Sequence, residues 1–253
     1  MLKIILSGCN GTMGQVIKQF TKDDDSIEIV AGLDKFPEKY NNNFPVYENP
    51  RQCKEEADVI IDFSHYSAFR EIITFAKQHK LPLVMATTGL SDKNEKQLQL
   101  LSKEIPIFRS ANMSLGVNVV LDLIYRATKS LEDSFDIEII EAHHNKKVDA
   151  PSGTALMLAH EIKSAKNETS HFIYGRHGKQ ERRNKNDIGI HAIRGGTIVG
   201  EHTIVYAGLD EIIEIKHTAL SKNIFAAGAI KAAKYIADKE NGLYDMKKLL
   251  NNE

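Results

Sequence analysis

Three glycines, Gly8, Gly11 and Gly14, stand between an apolar run and a helical pattern, and they constrain the fold of this chain more than any other feature. Leu2 to Leu6 reads as a short buried strand. Met13, Val16, Ile17 and Phe20 recur at helical spacing, and Ile27 to Leu33 reads as a second strand ending at Asp34. Strand, glycine turn and helix in this order open a dinucleotide-binding crossover, here with GxxGxxG in place of the usual GxGxxG. Glycine suits these positions because the turn is tight and the backbone has to approach a pyrophosphate closely. The pyrophosphate then rests on the helix N-terminus, where N–H groups and the macrodipole favour negative charge. Asp34 stands where an acid holds a ribose hydroxyl pair.

The alternation continues. Val59 to Phe63 reads as a buried strand, Ser67 to Gln78 as a helix and Leu81 to Thr87 as another strand. Asp92 with Glu95 forms a capping-box signature for a helix through Leu101, and Ile105 to Phe108 gives a further strand. Such alternation predicts a parallel, doubly wound sheet with ligands at the carboxyl ends of its strands. Two loops fall at those ends, Asp62-Phe63-Ser64-His65 and Ala86-Thr87-Thr88-Gly89. Their shared location on the cofactor edge favours contact with the nicotinamide half over plain turns.

After Asn112 the texture changes. A helix from Val117 to Leu131 leads to a strand from Phe135 to Ile140, then to a helix ending near Lys166. The polar stretch Tyr174 to Asp187 reads as a solvated loop. Ile188 to Ile193, Ile198 to Ala207 and Glu211 to His217 alternate apolar and polar residues, which fits a sheet with one buried face. The final helix, Ile224 to Ala237, returns to the first domain. The expected fold is therefore α/β: an N-terminal Rossmann-type doubly wound parallel sheet and a second α+β domain on a mixed sheet. The dinucleotide-binding domain covers residues 1–113 and is completed by 223–253; residues 114–222 form the second domain, to which the family resemblance described below assigns substrate binding and oligomerisation.

Composition narrows the partners. Lys and Arg number 33 against 34 Asp and Glu, a balance that argues against a nucleic-acid or membrane-surface binder. Two cysteines, Cys9 and Cys53, give neither a disulfide framework nor metal spacing, which suits a reducing compartment such as the cytoplasm. No apolar run approaches the roughly 20 residues that span a bilayer, and the first strand begins too early for a signal peptide.

The densest chemistry lies in Glu141 to Ala155, EAHHNKKVDAPSGTA, directly after the Phe135 to Ile140 strand. Pro151 suits the first turn of a helix and Ala155 to Ile162 continue with helix formers. Proton donors, cations and backbone N–H groups thus converge at a strand-to-helix junction, a place that binds a small anion and hands it a proton. Adjacent histidines on a strand point to opposite faces, so His143 and His144 are ill placed to share a metal, and no metal is expected.

Over nearly its whole length the chain resembles the 4-hydroxy-tetrahydrodipicolinate reductase family of the lysine and diaminopimelate pathway. The resemblance rests on Gly8-Cys9-Asn10-Gly11-Thr12-Met13-Gly14, Asp62-Phe63-Ser64, Thr87-Thr88-Gly89, Ser110 to Asn118 and, most specifically, Glu141 to Ala155. Ile190 to Gly196, Val199-Gly200-Glu201-His202 and Phe225 to Ala229 extend it. It implies NAD(P)H-dependent reduction of a cyclic imine dicarboxylate to tetrahydrodipicolinate by a homotetramer assembled through the second domain's sheet. By position, His143 looks like the family's proton donor and Lys147 like the residue that supports protonation and engages the substrate. His144, Ser152, Gly153 and Thr154 look like substrate-binding residues. Gly8, Asn10, Gly11, Thr12, Met13, Gly14, Asp34, Lys35, Phe63, Ser64, Ala86, Thr87, Thr88, Gly89, Ser110, Asn112 and Met113 look like the cofactor contacts.

The chemistry suits these residues. Hydride added to a conjugated imine leaves an electron-rich enamine that takes a proton on carbon. Histidine as a residue type titrates near neutrality and donates there without a metal. Lys147 supplies a positive charge for one carboxylate; the second suits the N–H groups of Gly153 and Thr154. Ser152 is expected to be at least an N-cap. Lys146 reads as solvated, Arg194 serves fold or pocket, and His202 reads first as a fold residue.

The chain departs from the family pattern at Thr12 and at Ser221-Lys222, where arginine is usual, and at Ala86 and Met113, where glycine and phenylalanine are usual. Loss of the Thr12-site cation, with Asp34 repelling a 2′-phosphate and Lys35 attracting one, favours NADH while leaving NADPH usable. Two rival readings are a nicotinamide-binding sensor without turnover and another Rossmann dehydrogenase of small amino-carboxylates. The sensor is separated by its failure to consume NADH, and the dehydrogenase is disfavoured by Lys147 to Thr154.

Overall fold

A computed structural model of the chain describes residues 1–131, 134–166, 170–179 and 182–252. They form two compact units, Met1–Leu115 with Lys222–Glu253, and Gly116–Ser221.

The first unit is built on β1 (Leu2–Ser7), α1 (Thr12–Phe20), β2 (Ile27–Leu33), β3 (Val46–Tyr47), β4 (Val59–Asp62), α2 (Phe69–His79), β5 (Leu83–Met85), α3 (Asp92–Leu101) and β6 (Pro106–Arg109). Its seven strands run in the order β12-β6-β5-β4-β1-β2-β3, where β12 (Gly242–Tyr244) comes from the C-terminal segment, and every pairing is parallel. Alternation along β1 sends Ile4 and Leu6 to one face and Ile5 to the other. Ile4 and Leu6 pack with Ile17 of α1 and with Ala226, Ala229, Ile230 and Ala233. Ile5 packs with Phe69, Ile72 and Phe75 of α2 and Leu98 and Leu101 of α3. Burial on both faces explains why these strands read as continuous apolar runs.

The second unit comprises α4 (Leu115–Leu131), β7 (Asp136–His143), α5 (Gly153–Ala165), β8 (His171–Tyr174), β9 (Asp187–Arg194), β10 (Gly200–Ala207) and β11 (Ile212–Ala219). Its mixed sheet has the order β11-β10-β7-β9-β8: β10 is antiparallel to β11 and β7, whereas β9 is parallel to β7 and β8. One face buries Ile137, Ile139, Ile188, Ile190, Ile204 and Tyr206 against Ile124 of α4 and Leu158 and Ile162 of α5. The chain then re-enters the first unit through α6 (Asn223–Ile236), β12 and α7 (Met246–Asn251).

Several local expectations need correction. Pro151 precedes the helix instead of occupying its first turn: Ser152 is the N-cap, Gly153 is the first helical residue, and the Ala150–Pro151 bond is cis. The capping box of α3 is Ser91 with Asn94, not Asp92 with Glu95, because the Ser91 hydroxyl accepts from the Asn94 N–H while the Asn94 side chain accepts from the Ser91 N–H. The Phe135 to Ile140 strand extends through His143, so two of the polar residues lie on the strand itself. The polar stretch 174–187 is anchored more firmly than a solvated loop: Arg183 pairs with Asp136 at 2.6 Å and Arg176 with Glu138 at 2.8 Å. Residues 180 and 181 of that stretch lie outside the described residues. The short strands β3, β8 and β12 carry too few residues for a period to register.

Candidate active site

In the first unit the glycine turn lies between β1 and α1. Gly8 has φ +75°, and a Cβ there would stand 2.7 Å from the Phe63 carbonyl oxygen. A Cβ on Gly14 would overlap the backbone of Gly8 and Cys9. At these two positions packing of the turn on itself and on the β4 loop already requires glycine, as the tight turn led one to expect. Gly11 is the N-cap of α1 and offers no side-chain acceptor, so the first turn of α1 is not closed off by its cap. Thr12 is exposed at that turn.

Asp34 follows β2 and its carboxylate accepts the Asn10 N–H at 2.9 Å and the Phe36 N–H at 3.0 Å. A groove of about 700 Å³ runs along Gly8, Gly11, Asp34, Lys35, Phe63 and Ser64. That volume and lining fit an extended ligand with hydroxyl donors for Asp34 and an anion for the α1 N-terminus. The residues present therefore fit a dinucleotide.

The remaining cofactor candidates divide. Asn10 is buried and its amide donates to Phe36 O at 2.7 Å and Pro37 O at 3.1 Å, so the side chain ties the turn to residues 36–37. Met113 is 3 % exposed and packs in the core with Phe108 and Ala229. Ala86 is buried, whereas Thr88 and Gly89 are exposed. The Thr87 hydroxyl lies 2.7 Å from the buried Asp62 carboxylate and 2.9 Å from Ser64 O, joining the two loops expected to meet nicotinamide. Arg109 was not anticipated. Its guanidinium donates to Met85 O, Thr87 O and Ser110 O and pairs with Glu95 at 2.7 Å, which fixes both the 86–89 loop and the start of the Ser110–Asn112 turn. That turn is closed by Ser110 Oγ donating to Asn112 O at 2.7 Å.

In the second unit the inner face of the sheet changes character at one end. Along β7 the residues facing α5 run Ile137, Ile139, Glu141, His143, so the apolar core gives way to ionisable groups within one strand. Register aligns Glu141 with His202 on β10, and His202 with His217 on β11. On the other side His143 lies opposite Arg194 of β9. Glu141 is fully buried. It takes His143 Nδ1 at 2.7 Å, the Ser152 N–H at 2.9 Å, and Arg194 at two points, Nη1 to Oε2 at 2.8 Å and Nη2 to Oε1 at 2.7 Å. Burial alone would raise its carboxyl, but the bonds from Arg194, His143 and Ser152 together outweigh it and hold the carboxyl below its ordinary value. An ionised Glu141 requires the proton of the neutral His143 ring to sit on Nδ1, leaving Nε2 as the atom that exchanges a proton.

Arg194 also donates to Asp149 O at 2.6 Å, and the Gly195 N–H donates to His143 O at 2.9 Å, so β9 holds the loop after β7. Within that loop Lys147 pairs with Asp149 at 2.8 Å. Ser152 caps α5 through the Ala155 N–H at 3.2 Å and meets His202 Nε2 at 3.0 Å. Gly153 opens the helix with no atom within 4 Å of where a Cβ would stand. Thus His143, Lys147, Ser152, Gly153 and Thr154 share the junction of β7 and α5, while His144 leaves the strand just after His143 with Nδ1 buried and unbonded. Glu141 and His217 were missed by sequence reasoning; Glu141 carried a signal in its period-2 spacing from His143. Among the described residues no group of three or more His, Cys, Asp or Glu is arranged to hold a metal ion, and no helix is long and apolar enough to cross a membrane.

Family models described as dihydrodipicolinate reductase, N-terminus and C-terminus, match residues 2–113 and 116–250 respectively. A 4-hydroxy-tetrahydrodipicolinate reductase of Caldanaerobacter subterraneus subsp. tengcongensis is 51% identical over 250 residues, covering 99% of this chain and 98% of the relative. One from Clostridium tetani is 51% identical over 252 residues, covering 100% and 98%. A solved dipicolinate-bound dihydrodipicolinate reductase from Paenisporosarcina sp. TG-14 superposes with a TM-score of 0.79 over 97% of each chain, at 22% identity, a likeness of fold.

Proposed function

The chain belongs to the dihydrodipicolinate reductase family, and we propose from that membership how its residues carry the reaction. It catalyses NAD(P)H-dependent reduction of 4-hydroxy-tetrahydrodipicolinate in lysine and diaminopimelate biosynthesis. The nicotinamide, when bound, supplies the hydride. The first unit holds the dinucleotide: the α1 N-terminus takes the pyrophosphate, Asp34 the adenosine ribose, and the loops at Phe63-Ser64 and Ala86 to Gly89 the nicotinamide end. Asp34 still has lone pairs to offer after accepting from Asn10 and Phe36. A carboxylate there disfavours a 2′-phosphate, so NADH is the preferred donor and NADPH a usable one. The side chains of Asn10 and Met113 act through the fold, since one is tied to residues 36–37 and the other packs in the core.

The second unit holds the dicarboxylate. Gly153 and Thr154 receive one carboxylate at the start of α5, and Lys147, turning from Asp149, receives the other. His144 and Ser152 complete the pocket, Ser152 chiefly by capping α5. After hydride addition, protonated His143 gives its Nε2 proton to the electron-rich ring carbon and is left neutral, with Nδ1–H on Glu141. Hydride, proton and loss of the 4-hydroxyl as water balance the conversion to tetrahydrodipicolinate. The bond between His143 Nδ1 and Glu141 carries this reading, because it leaves Nε2 as the donor atom. Assembly as a homotetramer uses the outer face of the second unit's sheet, where Ile140 and Ile212 are exposed. Buried, unpaired Cys9 and Cys53 accord with a cytoplasmic setting.

The test is the loss of nicotinamide absorbance with substrate generated in place from pyruvate and aspartate semialdehyde by the preceding synthase. Oxidation that depends on that substrate, faster with NADH than NADPH, is expected. NADH binding without oxidation would move the assignment to a sensor.

A further inference from the structure

We propose that Glu141 and Arg194 are positioning residues for the proton donor: Arg194 clamps Glu141, and Glu141 fixes the His143 ring so that Nε2 alone meets the substrate. This rests on His143 being the donor. Glu141 and His143 are two residues apart on the same face of β7, so the strand's own period brings carboxylate and ring together. Arg194 lies opposite His143 on β9 and reaches one rung back to grip both Glu141 oxygens. With His143 and the Ser152 N–H, the carboxylate accepts four bonds, which fills its capacity. A carboxylate so occupied cannot turn, and neither can the ring it holds.

Charge completes the argument. A lone buried carboxylate beside His143 would stabilise the protonated ring and make it a reluctant acid. The guanidinium offsets that charge while leaving the geometry intact. The side of the ring bearing Nε2 is kept clear by Gly200 of β10, where a Cβ would stand 3.1 Å from Nε2. The groups facing His143 are Glu141 from its own strand, Arg194 from β9 and His202 from β10 with its ring centroid at 5.2 Å; Lys147, paired with Asp149 in the following loop, adds a charge felt at His202. Ser152 links the α5 cap to the same cluster through Glu141 and His202.

The experiment compares E141Q, R194Q, R194K and H143Q by kcat, KM and the pH dependence of kcat, with the NADH Kd of each variant as a check on the first unit. E141Q is expected to lower kcat roughly 10²-fold with little change in KM, the size of loss that misorientation of a catalytic group brings. The fall of kcat at high pH should move to lower pH in E141Q, where the acceptor is neutral. It should move to higher pH in R194Q, where Glu141 is no longer offset, and return toward the parent profile in R194K. Parent kcat and parent pH profile in E141Q and R194Q, with H143Q inactive, would overturn the positioning roles alone. Parent kcat in H143Q would overturn the donor reading beneath them. Should a variant fail to fold, ¹⁵N spectra of the unaltered protein decide: neutral His143, assigned against H143Q, is expected to carry its proton on Nδ1. A proton on Nε2 would overturn the proposal.

Discussion

The Ser152 hydroxyl lies 3.0 Å from Nε2 of His202, joining the N-cap of α5 to the inner face of β10. Burial first, and then the charge on His143, lowers the His202 pKa to about 4. His217, beside it on β11, is likewise lowered by burial. The end of this sheet therefore holds neutral imidazoles next to a buried ion pair, and the two demand different conditions for stability.

Between pH 6.5 and about 4 the unfolded chain binds a proton at residue 202 that the folded chain does not, so stability falls as pH drops through that window. The contribution is about 3 kcal/mol at most. Urea unfolding at pH 7 and pH 4.5 should show the loss, and H202Q should reduce it. The same pH dependence in H202Q would remove His202 as its source.

H143Q should lower kcat by roughly 10²- to 10⁴-fold, the usual worth of a general acid. NADH binding, read by fluorescence titration, should stay within about twofold, since the dinucleotide groove belongs to the first unit. Unchanged turnover would take His143 out of the chemistry.

D34A should weaken NADH by about tenfold and NADPH by less, because a bond to a charged group is worth about 1.5–3 kcal/mol and only the 2′-hydroxyl form uses it fully. The melting temperature should also drop slightly, as the Asn10 N–H loses its acceptor. Equal losses for both cofactors would sink the ribose assignment.

Lys147 and Asp149 make a testable exchange pair. K147A should raise KM and lower kcat together, whereas D149N should free the ammonium and lower KM for the dicarboxylate. A KM that rises in D149N would mean Asp149 aims Lys147 and does not merely occupy it.

T87V removes a hydroxyl that serves the fully buried Asp62. Leaving that carboxylate short of a partner should cost about 1–3 kcal/mol, read as a lower urea midpoint. A variant as stable as the parent would show that the Ser64 N–H, at 3.1 Å, suffices for Asp62.

The glycine turn, β2 and the approximate course of β1, α1, α3 and β6 were legible because their signals are local: a glycine at positive φ, a run buried on both faces, a period of 3.6. The placement of His143 at the strand end and the α5 cap were legible for the same reason, since strand, ring and N-cap lie within a dozen residues. The tight turn expected at Gly8 and Gly14 is there, but the partners that exclude a Cβ, the backbone of Phe63, Gly8 and Cys9, are brought close only by folding. Arg109 was invisible because its partners are carbonyls spread over three segments.

By itself, then, the sequence determined the two-part α/β architecture, whose strand and helix signals are local, and the family, whose motifs are spread along the whole chain. Only the tertiary structure decided what the reactive groups touch. Arg194 reaches Glu141 across 53 residues because parallel pairing of β7 and β9 sets a register that no local period encodes. His202 meets Ser152 across 50 residues through the antiparallel β10. The ionisation of Glu141 and the neutrality of His202 follow from that juxtaposition and from burial, and neither property belongs to a residue before the chain has folded.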